Sequence, residues 1–133
     1  MPDKLGIYVI DAIEARGIAE ECRRRGWLVI VLLEKIASKN QFFDAIRDNC
    51  PLDPSLQSNR SWDALADSLW SGLDEVDNER IVIFWPDSDR MAAAEPDAYV
   101  IATDIFEDLC VSLADSNVAA SGAKTLLIFK IKD

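Results

Sequence analysis

WLVIVLL, Trp27–Leu33, is an uninterrupted apolar run standing directly behind Gly26. It is too short for a helix closed by glycine, and its Val, Ile and Leu content is that of a strand covered on both faces. The run is therefore expected at the centre of a parallel sheet. Upstream, Leu5–Ile10 reads as a short buried strand, and Ile13–Arg25 as a helix with Glu20 and Glu21 ahead of Arg23, Arg24 and Arg25. Downstream, Ser38 followed by Gln41 predicts a capping box, with Phe42, Phe43 and Ile46 as the inward face of a helix that Cys50 and Pro51 end. Pro51–Arg60, with its prolines, serines and asparagine, reads as irregular chain leading to Ser61 as an N-cap. Asp74–Glu79 is a charged turn, Arg80–Trp85 a third strand stopped by Pro86, and Asp87–Ala94 a short helix. Glu95–Ser116 is a longer helix with Ala98, Ile101, Ala102, Ile105, Leu109 and Leu113 inward and Asp104, Glu107, Asp108 and Asp115 outward. Lys124–Lys132 closes the chain as a strand. This order predicts one α/β domain over residues 1–133, a parallel sheet of about four strands flanked by helices, with right-handed crossovers.

Composition allows that fold to stand alone, since half of the 133 residues are apolar. The 24 acidic residues against 14 basic ones leave a net charge of -10, which disfavours nucleic acid and anionic membrane surfaces and favours a basic partner. On charge alone the favoured reading is the simpler one, that the charge keeps a soluble protein dispersed. Cys22, Cys50 and Cys110 are odd in number and widely spaced, without CxxC pairs or a secretory leader, so neither disulfides nor zinc are signalled and a reducing cytoplasm fits. The longest apolar run, Trp27–Leu33, falls short of the roughly 18 residues that span a bilayer.

The helix SWDALADSLW, Ser61–Trp70, carries the main functional clue. At 100° per residue Trp62, Leu65, Ala66, Leu69 and Leu73 share one side, while Asp63, Asp67, Trp70 and Asp74 share another. Carboxylates four residues apart repel, costing an isolated helix about 0.2–0.5 kcal/mol per pair, so this stripe points to a surface that meets a basic partner. Trp70 is either a recognition aromatic or a ring packed beneath the preceding loop. Trp62 and Trp85 are expected in the core.

Several chemistries are missing. The chain has no histidine, which removes Ser-His-Asp and Cys-His nucleophiles and most hydrolase metal sites. Neither GxGxxG nor GxxxxGK[ST] occurs, so no phosphate cradle is signalled. Asp87 and Asp89 have a spacing that could hold Mg²⁺ after a strand, although acids there ordinarily cap the next helix. Asp11 could by fold analogy accept a phosphoryl group, yet Ile10 and Ala12 flank it where an acidic neighbour would be wanted, and a turn aspartate is the simpler reading. The cysteines read as small core residues, and no cofactor or metal is assigned.

From Trp27 to Lys132 the chain resembles the barstar family of inhibitors of barnase-type ribonucleases. The segments that carry the resemblance are WLVIVLLEKI, SKNQFFDAI, WDALADSLW, RIVIFW, DAYVIATDIFEDLC and KTLLIFKI, and the sharpest is the Trp-Asp-Ala-Leu run with a second Asp two residues on. The resemblance implies a protein that is not an enzyme, an inhibitor or immunity protein acting in the cytoplasm, with no nucleic-acid, membrane or cofactor binding and expected to be monomeric. It implies that this helix and the loop before it plug the nuclease site, carboxylates standing in for RNA phosphates. Asp67 then takes the central position, Asp63 the acid one turn earlier, and Glu107 or Asp108 the supporting acid on the last helix, where the alignment slides by one residue. Asp63, Asp67, Trp70, Asp74, Glu107 and Asp108 are accordingly the expected partner-binding residues. The family's glycine-rich aromatic approach is replaced by CPLDPSLQSNRS, and the aromatic that many members hold between the two aspartates is Ala66. Residues 1–26 add a strand and a helix, expected to lengthen the sheet at one edge. The alternative reading is an acidic interaction module with a non-nuclease basic partner. A Mg²⁺ enzyme using Asp11, Asp87 or Asp89 is the third.

Overall fold

Leu5, Leu33 and Ser116, which end three of the expected elements, lie outside the described residues of the computed structural model, as do residues 1–4; it describes residues 6–32, 34–115 and 122–132. Along the chain run β1 (Ile7–Asp11), α1 (Ala12–Arg24), β2 (Leu28–Val31), α2 (Lys39–Asn49), α3 (Trp62–Glu75), β3 (Arg80–Pro86), α4 (Ser88–Ala94), α5 (Pro96–Ala114) and β4 (Thr125–Lys132). The strands form one sheet in the order β1-β4-β3-β2, every pair parallel. The α/β class and the four-stranded parallel sheet agree with the sequence reading, and β1 lengthens the sheet beside β4 as expected.

The strand expected at the centre is instead an edge. Among the described residues β2 pairs only with β3, its Val31 is 43% exposed, and the centre is held by β3 and β4. An apolar run reports that both faces of a strand are covered and says nothing of how many neighbours it has. The inner strand β3 alternates fully: Ile81, Ile83 and Trp85 enter the larger core with α2, α3, α4 and α5 residues, while Val82 and Phe84 enter a second core with Ala15 and Cys22 of α1 and Phe129 of β4. Helices therefore cover both faces, α1 on one side and α2 to α5 on the other.

Local chemistry sets the ends of these elements. Asp11 caps α1 by a full capping box, accepting from Glu14 N–H at 2.8 Å while Glu14 Oε1 accepts from Asp11 N–H at 3.4 Å. Gly26, at φ +81, closes α1 and lets Trp27 N–H donate to the Cys22 carbonyl at 2.9 Å. The box expected at α2 is only half formed: Ser38 Oγ accepts from Gln41 N–H at 3.1 Å, but Gln41 Oε1 accepts from Ala37 N–H at 2.7 Å. On α5 the buried stripe is rotated toward Phe106 and Cys110, leaving Ile101 38% exposed and Ile105 half-buried. The Phe42, Trp85 and Phe106 rings, within 5.3–5.7 Å of one another, draw the helix round. Among the described residues no helix is long and apolar enough to cross a membrane.

Candidate functional site

α3 begins where Ser61 Oγ accepts from Ala64 N–H at 3.1 Å, as its sequence predicts. Leu65, Leu69 and Leu73 are fully buried and fix the helix on the larger core, so Asp63 and Asp67 are held outward and exposed. Trp70 is half-buried and packs against that core. It lines a groove of about 170 Å³ with Ala66 and Asp67 of α3 and Ile105, Asp108, Leu109 and Ser112 of α5. The structure thus brings Asp67, Trp70 and Asp108 to one place, with an apolar floor between two exposed carboxylates.

Two of the expected partner-facing residues lie elsewhere. Asp74 is 3% exposed, within the last turn of α3 and beside buried Gly72 and Leu73. A helical wheel gives phase but no depth, and at Asp74 the helix face is covered although Glu75 beside it stays exposed. Nor are Asp74 and Glu75 part of a turn, since α3 continues through both. Glu107 is half-buried and outside the groove; its charge acts on the Cys110 thiol. Of the two acids that α5 offered, Asp108 is the one facing α3.

The loop before α3 is irregular but firmly held, and its anchors carried no signal in the sequence. Arg47 of α2 donates to the Leu56 carbonyl at 3.0 Å, to Asn59 Oδ1 at 2.6 Å and to Asp44 Oδ1 at 2.9 Å. Lys39 Nζ donates to the Arg60 carbonyl at 3.0 Å while lying over the Phe43 and Trp62 rings. Leu56 is buried among the core residues, and Asp53 N–H donates to the Ser68 carbonyl at 3.0 Å. The Pro51 carbonyl sits where a side chain on Gly72 would stand. Helix α2 thus splints the far half of the loop, and α3 receives the near half directly.

Where that near half meets α3, Asp53 lies against Glu75. Hydrogen bonding to the Asp53 carboxyl, its charge, partial desolvation and, least, the charge of Asp74 raise the Glu75 pKa above its ordinary 4.5. Stability linked to Glu75 is thus fully present below 4.5 and is lost as pH rises through the raised value. Glu75→Gln is expected to melt at a higher temperature than wild type at pH 7, with the difference shrinking to nothing on acidification below 4.5. Thermal melts of the two proteins across that range check it, and a difference independent of pH would contradict the origin given.

The cysteines, Asp11 and Asp87 have identifiable places in the fold. Burial pushes the Cys50 and Cys110 thiols up to about 12 and raises that of Cys22, which suppresses the nucleophilic thiolate. Asp11 is a helix cap. Asp87, at φ 55, does not cap α4 with its side chain; its Oδ2 accepts from Lys35 N–H at 3.1 Å and ties the chain after β2 to the end of β3. Among the described residues no group of three or more Cys, Asp or Glu side chains gathers where it could hold a metal.

Comparison with protein families finds a match to the family described as Barstar (barnase inhibitor) over residues 28–121. Neither a curated protein nor a solved structure matches the chain. The matched stretch starts at the first residue of β2 and takes in α2, the splinted loop, α3, β3, α4 and α5, leaving outside it β1, α1 and β4. With well over half of its residues inside the match and the groove between α3 and α5 among them, the chain belongs to the barstar family.

Proposed function

We propose that the protein is an inhibitor of a basic, barnase-type ribonuclease, seating the α3–α5 face in the enzyme's active site so that carboxylates occupy the places of RNA phosphates. The observation that carries this reading is Asp67, exposed at the rim of the groove with Asp108 across from it, on a chain whose family is described as barnase inhibitors. Among the described residues neither aspartate has an ion pair or a side-chain hydrogen bond within the chain, so both charges are available to a cationic site. Asp63, one turn earlier, extends the acidic edge, and the half-buried Trp70 supplies an apolar anchor of the kind enriched in interfaces. The net charge of -10 would steer a basic partner toward this face. Such a protein does no catalysis, needs no cofactor, and acts as a cytoplasmic monomer or immunity protein guarding its host.

Asp67→Ala is expected to weaken the complex by about 1.5–3 kcal/mol, roughly ten- to a hundredfold in Kd, mostly through faster dissociation. Added salt should slow association of the wild type. A titration in which the protein with both Asp63→Ala and Asp67→Ala still inhibits its nuclease as well as wild type would remove this site. The second reading, an interaction module for another basic protein, is favoured by Ala66 and by the chemistry of the loop at 51–60. Pulldown from the native host followed by identification of the captured protein separates the two.

A further inference from the structure

Arg60 is the one residue on the approach to α3 whose charge opposes the acidic face, and among the described residues no ion pair accounts for it. It is exposed, and no described carboxylate pairs with its guanidinium, even though Asp63 stands only three residues away. Its position immediately before Ser61 puts a cation at the positive end of the α3 dipole, where cations are disfavoured. A second cation is already there, because Lys39 Nζ holds the Arg60 carbonyl. That same hydrogen bond, with Arg47 gripping Asn59 and Leu56, fixes the backbone from which the Arg60 side chain projects. The chain therefore presents an exposed guanidinium, from a backbone held by α2, directly before the helix that carries Asp63 and Asp67.

We infer that Arg60 is a specificity-determining residue: it selects a nuclease that carries an Asp or Glu side chain beside the basic cluster of its active site, on the flank the loop meets. This rests on the inhibitor reading above and names the charge pattern that the partner must bring. A nuclease with only basic residues on that flank would face Arg60 with like charge, which discriminates against it, while a carboxylate there makes a charge-assisted hydrogen bond that a splinted backbone forms with little further ordering. Lys39 and Arg47 are positioning residues in this scheme.

The test sets two electrostatic expectations of opposite sign against each other. Arg60→Glu makes the inhibitor more acidic by two charges, so long-range attraction to any basic nuclease should speed association. The pairing of Arg60 with a partner carboxylate requires the dissociation rate of the same variant to rise by at least tenfold, with Arg60→Gln falling between. The probes are barnase and a panel of basic ribonucleases of its type, and rates are measured for the member that the wild type inhibits most tightly. Asp67→Ala is carried as the control for the face, and a thermal melt of each free variant as the control for folding. Faster dissociation of Arg60→Glu, reversed when the partner's flanking acid is changed to Lys, supports the assignment. If Arg60→Glu binds as tightly as wild type or tighter while Asp67→Ala weakens binding, the inference fails and the inhibitor reading stands. If the wild type inhibits no member of the panel, the inhibitor reading fails and takes the inference with it.

Discussion

Deleting residues 1–25 is expected to abolish cooperative folding, although the family match begins only at residue 28. β1 pairs with β4 through five registered positions, from Ile7 opposite Ile128 to Asp11 opposite Lys132. Without it β4, an inner strand, becomes an unpaired edge. The loss of α1 is more serious, because this helix covers the second face of the sheet. Val82 and Phe84 of β3 and Phe129 of β4 are buried in the core that contains Ala15 and Cys22, and Phe84 stacks on Phe129 with ring centroids 5.4 Å apart. Each large apolar side chain returned to water forfeits about 1.5–3 kcal/mol. Several together consume most of the roughly 5–15 kcal/mol by which a domain is stable. The truncated chain should bind a hydrophobic dye and lack a sharp thermal transition by circular dichroism. A cooperative melt close to that of the full chain would show that α1 is an appendage.

Gly72→Ala should also be costly, against the usual sign of that change. Inside a helix, replacing Gly by Ala ordinarily stabilises by about 0.5–1 kcal/mol. Here the added methyl would collide with the Pro51 carbonyl, a backbone atom that cannot rotate aside. The loop would have to lift from α3, straining the Asp53 N–H to Ser68 carbonyl bond and the seat of Leu56. Overpacking of this kind costs about 1–3 kcal/mol, so a net loss is expected. Urea unfolding should place the midpoint of the variant below wild type with an unchanged slope. A midpoint at or above wild type would mean that the loop gives way freely. Amide exchange across residues 51–60 gives a second view, since a lifted loop exchanges faster even where global stability is little altered.

The parts that were legible in the sequence are those governed by local spacing. Ser61 caps α3, Leu65, Leu69 and Leu73 turn inward, and this phase alone sets Asp63 and Asp67 facing out. The alternation of elements gave the parallel sheet, and the added strand was foreseeable at an edge. Spacing misled where depth or adjacency mattered. Asp74 shares the phase of Asp67 but not its exposure, and the apolar run Trp27–Leu33 has the composition of a central strand while the strand it supplies, Leu28–Val31, occupies an edge. Of Glu107 and Asp108, only Asp108 lines the groove, a placement that depends on how α5 lies against α3.

By itself, then, the sequence determined the class of fold, the outward acids of one helix and the absence of nucleophile and phosphate-binding motifs, because each depends on residues within a turn or two of one another. Tertiary structure decided which acids meet. Asp67 and Asp108 lie 41 positions apart along the chain and share a groove only because α3 and α5 pack side by side. It also decided the loop, whose grip comes from Arg47, Lys39 and Gly72, residues unremarkable in sequence until a folded chain brings carbonyl groups against them. Hydrogen bonds and close contacts between distant segments leave no periodicity to read.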